Sequence, residues 1–153
     1  MPTFLRSLVA AGFLAAAPSC TVLAQTPPDL GAEARAFMDA YARDLQARDA
    51  EAVIRRYDPR GAVILIGGQG GARTWAQIAD VYRTAWRGPL RFSWRDLLLD
   101  VVAPDAVIVR GGFLYQAVEG GPDLPYSYLA VLVWDGGALR IVFEEESPSH
   151  PGV

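Results

Sequence analysis

The residues of this chain best suited to acid–base chemistry are three consecutive glutamates near the C-terminus, Glu144 to Glu146. They follow an apolar stretch that is typical of a strand. Because a strand directs alternate side chains to opposite faces, Glu145 is predicted to share a face with Leu139, Ile141 and Phe143. A carboxylate on a core face is costly unless it has a partner or a function. Glu145 is therefore the first candidate for a catalytic acid or base.

Two other interpretations of Glu145 remain open. The strand could end at this point and leave the three glutamates as a solvated acidic run, which is the more usual situation for charged residues. Alternatively, Glu145 could form an ion pair with an arginine.

Tyr41 and Asp96 are the other catalytic candidates. Tyr41 lies on the apolar stripe of a predicted helix, where core packing is the usual role, but its hydroxyl would still need a partner such as a ligand or Glu145. Asp96 is predicted to lie on an apolar strand face with Phe92, Trp94 and Leu98. A bulge or register slip would turn Asp96 outward instead, and we favour that interpretation.

Aromatic residues at core-facing positions are the candidates for ligand contacts. Most residues of this kind pack in a core, so the prediction is weighed against that alternative. The set consists of Phe37, Trp75, Trp86, Trp94, Tyr115, Tyr128 and Phe143.

Composition excludes several kinds of chemistry. The 14 basic residues are all arginines, which rules out a Schiff-base lysine, a phosphate-loop lysine and a Ser-Lys pair. His150 is the single histidine and Cys20 the single cysteine, so a zinc site lacks ligands and a Ser-His-Asp triad would require the tail to fold back. No metal and no cofactor is expected. A net charge of −3 with scattered arginines argues against nucleic acid as a partner.

The N-terminus has the features of a secretory signal. Arg6 precedes an apolar run that is too short to span a bilayer, and small residues before Gln25 suggest cleavage near Ala24. We expect a periplasmic or secreted protein without a membrane span, with a signal peptide over 1–24, a domain over 25–147 and a flexible tail over 148–153. A lipid anchor on Cys20 is the less favoured alternative, because the preceding residues fit that signal badly.

Periodicity predicts helices first and strands last. A long amphipathic helix follows Asp29, a short one follows Asp49, and a capping box of Thr74 and Gln77 opens a third. One strand is predicted over 62–66, and a meander of four strands over 91–102, 106–118, 126–134 and 139–147. This order predicts an α+β fold with helices covering one face of an antiparallel sheet.

The glycine-rich segment 67–71 is predicted to be a flexible loop at a pocket rim. It lies between a strand and a helix, as a dinucleotide-binding fingerprint would. The spacing fails, however, because Arg73 occupies the third glycine position.

The strand over 126–134 is apolar on both faces. A sheet with one solvated face would alternate apolar and polar residues. The second apolar face therefore predicts a partner subunit, with a homodimer as the expected assembly.

The chain resembles the NTF2-like superfamily, and most closely its SnoaL-like and DUF4440-type branch. The resemblance rests on the stretch from Tyr41 to Tyr57, the strand 62–65, the helix from Trp75 to Tyr82, and the closing hairpin from Asp135 to Ile141. It covers 29–147 and implies a cone in which three N-terminal helices pack on a curved antiparallel sheet and enclose a pocket. Members include steroid isomerases, dehydratases, cyclases, an epoxide hydrolase and domains without catalysis.

Only part of the steroid-isomerase active site has matching residues in this chain. The resemblance assigns Tyr41 to the oxyanion-hole tyrosine, but the general-base aspartate falls near Ile66 and the second oxyanion-hole acid near Ala130, both apolar. Relatives often place histidines on the last strand, where this chain has Phe143 and Glu145.

Two hypotheses follow: a domain binding a small, largely apolar molecule without catalysis, which we favour, or a cofactor-free isomerase, dehydratase or cyclase-like enzyme. The enzyme would use Glu145 as acid/base and Tyr41 as hydrogen-bond donor.

Overall fold

The structure is a computed structural model that describes residues 29–149. The predicted signal peptide, Cys20 and His150 lie outside the described residues. No helix within 29–149 is both long and apolar enough to cross a membrane.

The first two helices begin at aspartate caps, as predicted. Helix α1 spans Leu30–Ala47, and the Asp29 carboxylate accepts from the backbone N–H groups of Gly31 (3.0 Å) and Ala32 (3.2 Å). Helix α2 spans Ala50–Ile54 after Asp49, whose carboxylate accepts from Ala52 N. These side chains satisfy N–H groups that have no partner within the helix. One stripe of α1 is buried and contains Leu30, Ala34, Phe37, Met38, Tyr41 and Leu45.

The third helix confirms the predicted capping box. Helix α3 spans Trp75–Thr84, with Gln77 N donating to Thr74 Oγ1 (3.3 Å) and Thr74 N donating to Gln77 Oε1 (2.9 Å). The α3 helix packs against α2. It ends at Thr84, so Trp86 lies beyond the helix.

Six strands form one sheet in the order β2-β1-β6-β5-β4-β3. Neighbouring strands are antiparallel except β1 and β6, which are parallel. The sheet curves against the helices, so the α+β prediction is confirmed. The strands are β1 (Ala62–Ile66), β2 (Gln69–Arg73), β3 (Arg91–Ala103), β4 (Ala106–Gln116), β5 (Leu124–Trp134) and β6 (Leu139–Pro148).

Strand β2 corrects the prediction of a flexible glycine loop. Gly67 (φ 60°) and Gly68 (φ 74°) form a two-residue turn in which both residues have positive φ, a type of turn that matches the twist of a hairpin. Gly70 then pairs with Leu65, and a Cβ at Gly70 would lie 2.1 Å from the carbonyl oxygen of Ile64. Glycine therefore serves the close approach of two strands here.

A bulge in β6 reverses the faces of its second half. Leu132 pairs with Ile141 and Val131 pairs with Phe143, so Val142 is an extra residue on β6. An extra residue shifts the two-residue alternation by one position. Phe143 consequently lies on the outer face of the sheet with Val131.

A second bulge lies in β3. The pairing with β4 shifts between Arg95 and Leu98, and Asp96 has a positive φ of 50° and an exposed side chain. The favoured interpretation of Asp96 is thus the one that the structure shows.

Strand β6 extends one residue beyond the predicted domain boundary. Pro148 pairs with Tyr126, and Ser149 N donates to Pro125 O (2.8 Å). Residues 150–153 of the predicted tail lie outside the described part.

Candidate functional site

Glu144 is a buried acid between the sheet and the helices, with 2% of its surface exposed. The hydroxyls of Tyr41 on α1 and Tyr128 on β5 donate to its Oε1 atom, at 3.2 Å and 2.8 Å. The hydroxyl of Tyr57 donates to Oε2. Glu144 thus accepts three hydrogen bonds from three different parts of the fold.

Tyr57 is held in place by a short contact between the end of α2 and β6. Asp58 N donates to Ile141 O (3.0 Å), and Ile141 N donates to Arg56 O (2.8 Å). These bonds fix the backbone on both sides of Tyr57, which is 1% exposed. The tyrosine ring therefore points into the core beside β6.

Tyr82 on α3 extends the hydroxyl arrangement. Its hydroxyl lies 2.7 Å from that of Tyr57, which lies 3.4 Å from that of Tyr41. Since Tyr57 gives its proton to Glu144, Tyr82 is the donor in the Tyr82–Tyr57 bond. We call Tyr41, Tyr57, Tyr82 and Tyr128 the tyrosine cluster. The hydroxyls of Tyr41, Tyr57 and Tyr128 donate to Glu144, and that of Tyr82 donates to Tyr57.

Burial and the nearby Glu144 raise the pKa of every tyrosine in the cluster. The hydroxyls consequently remain protonated donors at all physiological pH values. Burial also raises the pKa of Glu144, while the three hydroxyl hydrogen bonds act in the opposite direction. These donors stabilise the ionised form of Glu144.

A cavity of about 240 Å³ opens beside this cluster. Its walls are mostly apolar and aromatic. The lining residues are Tyr41, Leu45, Ile64, Ile66, Arg73, Ile78, Val81, Tyr82, Trp86, Pro89, Phe92, Phe113, Tyr115 and Glu146.

Glu146 is the acid that lines the cavity. It lies on the same face of β6 as Glu144 and pairs with Tyr128 across the ladder. Within residues 29–149, no N–H or O–H group donates a hydrogen bond to its carboxyl group. Burial, followed by the negative charge of Glu144, raises the pKa of Glu146 to about 8. A carboxyl group with this pKa can both give and take a proton near neutral pH.

The predicted orientation of Glu145 is wrong. Glu145 pairs with Leu129, which is 36% exposed on the outer face, whereas Glu144 pairs with the fully buried Ala130. The bulge at Val142 is the physical reason. The inward acids are therefore Glu144 and Glu146.

The structure brings only some of the predicted residues to the cavity. Tyr41, Trp86 and Tyr115 line it, whereas Tyr128 bonds to Glu144 behind it. The other predicted aromatics lie elsewhere: Phe37 beneath the Arg56 guanidinium, Trp75 beneath that of Arg83, Trp94 with its indole N–H on Met38 O, and Phe143 on the outer face.

Sequence reasoning missed Tyr57 and Tyr82 as partners of a buried acid. Both lie on apolar stripes of predicted helices, where a hydroxyl has no sequence signal of its own. A buried acid surrounded by four tyrosines becomes visible only when the strand register is known. Residues 29–149 contain no cluster of His, Cys, Asp and Glu that could hold a metal ion.

No protein-family model matches the sequence, and no curated protein matches it. Solved structures do match. A candidate scytalone dehydratase from Novosphingobium aromaticivorans superposes with a TM-score of 0.63 at 16% identity, covering 78% of this chain and 83% of that protein. A ketosteroid isomerase-like protein from Erwinia carotovora atroseptica gives a TM-score of 0.63 at 20% identity, covering 80% and 98%.

An NTF2-like protein of unknown function from Shewanella oneidensis also superposes, with a TM-score of 0.63 at 11% identity, covering 76% of this chain and 97% of that protein. The fold of this chain is therefore the NTF2-like α+β cone. Identities this low establish the fold and not the activity, because proteins with this fold include candidate enzymes and a protein of unknown function.

Proposed function

We propose that this protein binds a small, largely apolar molecule in the cavity, with a polar group of the ligand beside Glu146. The observation that carries the proposal is an apolar cavity into which one carboxyl group projects without a donor from the described residues. A mostly apolar pocket with a few placed polar groups is the usual form of a small-molecule site.

The tyrosine cluster supports the same proposal. Glu144 already accepts hydrogen bonds from three hydroxyl groups behind the cavity, and these bonds favour its ionised form. Glu146 has no such partners. The polar group of a ligand would therefore interact with Glu146 rather than with Glu144.

A second candidate function is cofactor-free proton transfer of the isomerase, dehydratase or cyclase type. The raised pKa of Glu146 and its position in the cavity favour it. In this enzyme Glu146 takes the acid/base role that the sequence suggested for Glu145. Tyr41 directs its proton to Glu144 and so contributes by positioning that charge.

A thermal-shift screen of small apolar molecules tests the binding function. We expect stabilising ligands whose effect changes in Glu146→Gln and not in Glu145→Gln, since Glu145 lies on the opposite face of the same strand. If no compound in a chemically diverse set stabilises the protein, the binding proposal is rejected. A ligand that is chemically converted by wild type and not by Glu146→Gln would establish the second candidate.

We also propose secretion to the periplasm or beyond, on the basis of the signal-like pattern over 1–24. Placement in the SnoaL-like and DUF4440-type branch rests on the sequence resemblance alone.

A homodimer is the assembly we propose. An apolar row crosses the outer face of four neighbouring strands, with Val63, Phe143, Val131 and Ile108 paired in sequence across the sheet. Beside it, Leu98 is 52% exposed and Leu129 is 36% exposed. Apolar surface of this kind is typical of subunit interfaces.

A further inference from the structure

We propose that the ligands of this cavity are protonated organic amines with an apolar body, whose ammonium group binds the Glu146 carboxylate. The inference rests on the proposed binding function and names its ligand class. Three features of the cavity point to it: the direction of its hydrogen bonds, its charges and its aromatic walls.

The hydroxyl groups beside the acids offer lone pairs rather than protons. Tyr41 and Tyr82 both line the cavity. The Tyr41 proton is directed to Glu144, and the Tyr82 proton to Tyr57. These two hydroxyls therefore present oxygen lone pairs to a ligand, and ionised Glu146 does the same. A ligand that donates several hydrogen bonds fits this part of the cavity, and an ammonium group donates three.

No positively charged side chain among the described residues pairs with Glu146. Among the lining residues, Arg73 is the one arginine, and it is exposed. None of the ion pairs among the described residues involves Glu144 or Glu146. An ammonium group would supply the missing counter-charge to two neighbouring acids. The titratable groups around Glu146 are Glu144 on β6, Tyr128 on β5, Tyr41 on α1, Tyr82 on α3, Tyr115 on β4 and Arg73 on β2. Tyr57, after α2, donates to Glu144.

The walls of the cavity suit a cation that carries an apolar body. Aromatic rings attract cations through their electron-rich faces, most strongly in desolvated sites. Tyr82 and Trp86 pack edge to face with ring centroids 5.2 Å apart, and Phe92 and Phe113 stack at 5.1 Å. These pairs contribute four of the rings that line the cavity.

Amine binding should be linked to release of a proton. Glu146 holds its proton at neutral pH in the free protein, and an adjacent ammonium group favours the carboxylate. Affinity for an amine should therefore rise with pH up to about 8, where Glu146 ionises without help. A neutral ligand that accepts a hydrogen bond from protonated Glu146 would show the opposite trend.

The experiment compares phenethylamine, phenethyl alcohol and acetophenone, which have the same number of non-hydrogen atoms, by isothermal titration calorimetry. We expect phenethylamine to bind at least about tenfold tighter than the alcohol at pH 8. Its dissociation constant should fall by up to about tenfold per pH unit between about pH 6 and pH 8. The Glu146→Gln variant should lose this preference and its pH dependence, whereas Glu145→Gln should keep both.

Two results would overturn the inference. One is binding of the alcohol or ketone as tightly as the amine. That result would reject amines as the ligand class, while the proposal that the cavity binds small molecules would stand. The other is amine affinity that is independent of pH or unchanged in Glu146→Gln. Glu146 makes no hydrogen bond that folding requires, so Glu146→Gln should fold, and its far-ultraviolet circular dichroism verifies this.

Discussion

Glu144 and Glu146 point inward from the same face of β6, yet three hydroxyl groups donate to Glu144 and none of the described residues donates to Glu146. Two carboxyl groups at close range do not ionise equally. The three donors favour the ionised form of Glu144, so Glu146 is the carboxyl group that more readily keeps a proton. The arrangement therefore gives two neighbouring acids different tendencies to ionise.

The first prediction concerns stability against pH. Glu146 has an ordinary pKa of 4.5 when exposed and about 8 in the fold, so the folded state binds the proton more tightly than the unfolded state. Stability contributed by this group is present below about pH 4.5 and is lost as pH rises toward 8. The slope is at most about 1.4 kcal/mol per pH unit, and contact with cavity water reduces it. Urea denaturation between pH 5 and pH 8 should show this decline in wild type and a flatter profile in Glu146→Gln.

A Glu145→Gln control should decline like wild type, since Glu145 is on the outer face. Parallel pH profiles for wild type and Glu146→Gln would show that the Glu146 pKa is not raised.

The second prediction separates the charge of Glu144 from its hydrogen bonds. Glu144→Ala leaves three buried hydroxyl groups without an acceptor and should reduce the free energy of unfolding by about 3 kcal/mol or more. Glu144→Gln keeps an acceptor oxygen and should cost less. Because it removes the negative charge, Glu144→Gln should also lower the pKa of Glu146, measured by the carboxyl carbon shift of Glu146 in an NMR titration. An unchanged Glu146 pKa in Glu144→Gln would contradict the coupling.

The third prediction ranks two tyrosines. Tyr57 bonds to Glu144 and to Tyr82, whereas Tyr128 bonds to Glu144 alone. Tyr57→Phe should therefore destabilise the fold more than Tyr128→Phe, with losses of about 2–3 and about 1–2 kcal/mol. Chemical denaturation of both variants measures the difference. Equal losses would mean that the link to Tyr82 adds nothing to stability.

The fourth prediction concerns the glycine hairpin. Gly70→Ala would place a Cβ 2.1 Å from Ile64 O at a φ of 138°, so β2 would have to separate from β1. We expect a loss of about 2–4 kcal/mol. Gly71→Ala is the matched control, because a Cβ there meets nothing within 4 Å. Similar melting temperatures for the two variants would argue against close strand contact at Gly70.

The fifth prediction tests the proposed homodimer. Val131 lies in the apolar row on the outer face, between Phe143 and Ile108. Light scattering with gel filtration should give a dimer for residues 25–153 and a monomer for Val131→Glu. The exposed helix variant Asp80→Asn should remain a dimer. A monomeric wild type would reject the assembly.

The helices were predictable because their signals are local. Asp29, Asp49 and Thr74 cap helices through side chains two or three residues from the N–H groups they satisfy. The order of the helices and of five of the six strands along the chain, and with it the α+β class, followed from periodicity. The inward acids did not follow, because the bulge at Val142 depends on how β6 pairs with β5 and leaves no local signal. The one extra residue at the bulge turns Glu145 outward and directs Glu144 and Glu146 inward.

The bulge at Val142 also bears on how reliably the chain finds its register. Three consecutive glutamates present an acid to the interior whichever way β6 slips by one residue, so polarity within this segment does not select one pairing over the other. Selection must come from Leu139 and Ile141, which are buried before the bulge, and from the Asp135 turn that fixes where the strand begins. The identity of the interior acid is thus decided by residues that never touch the cavity.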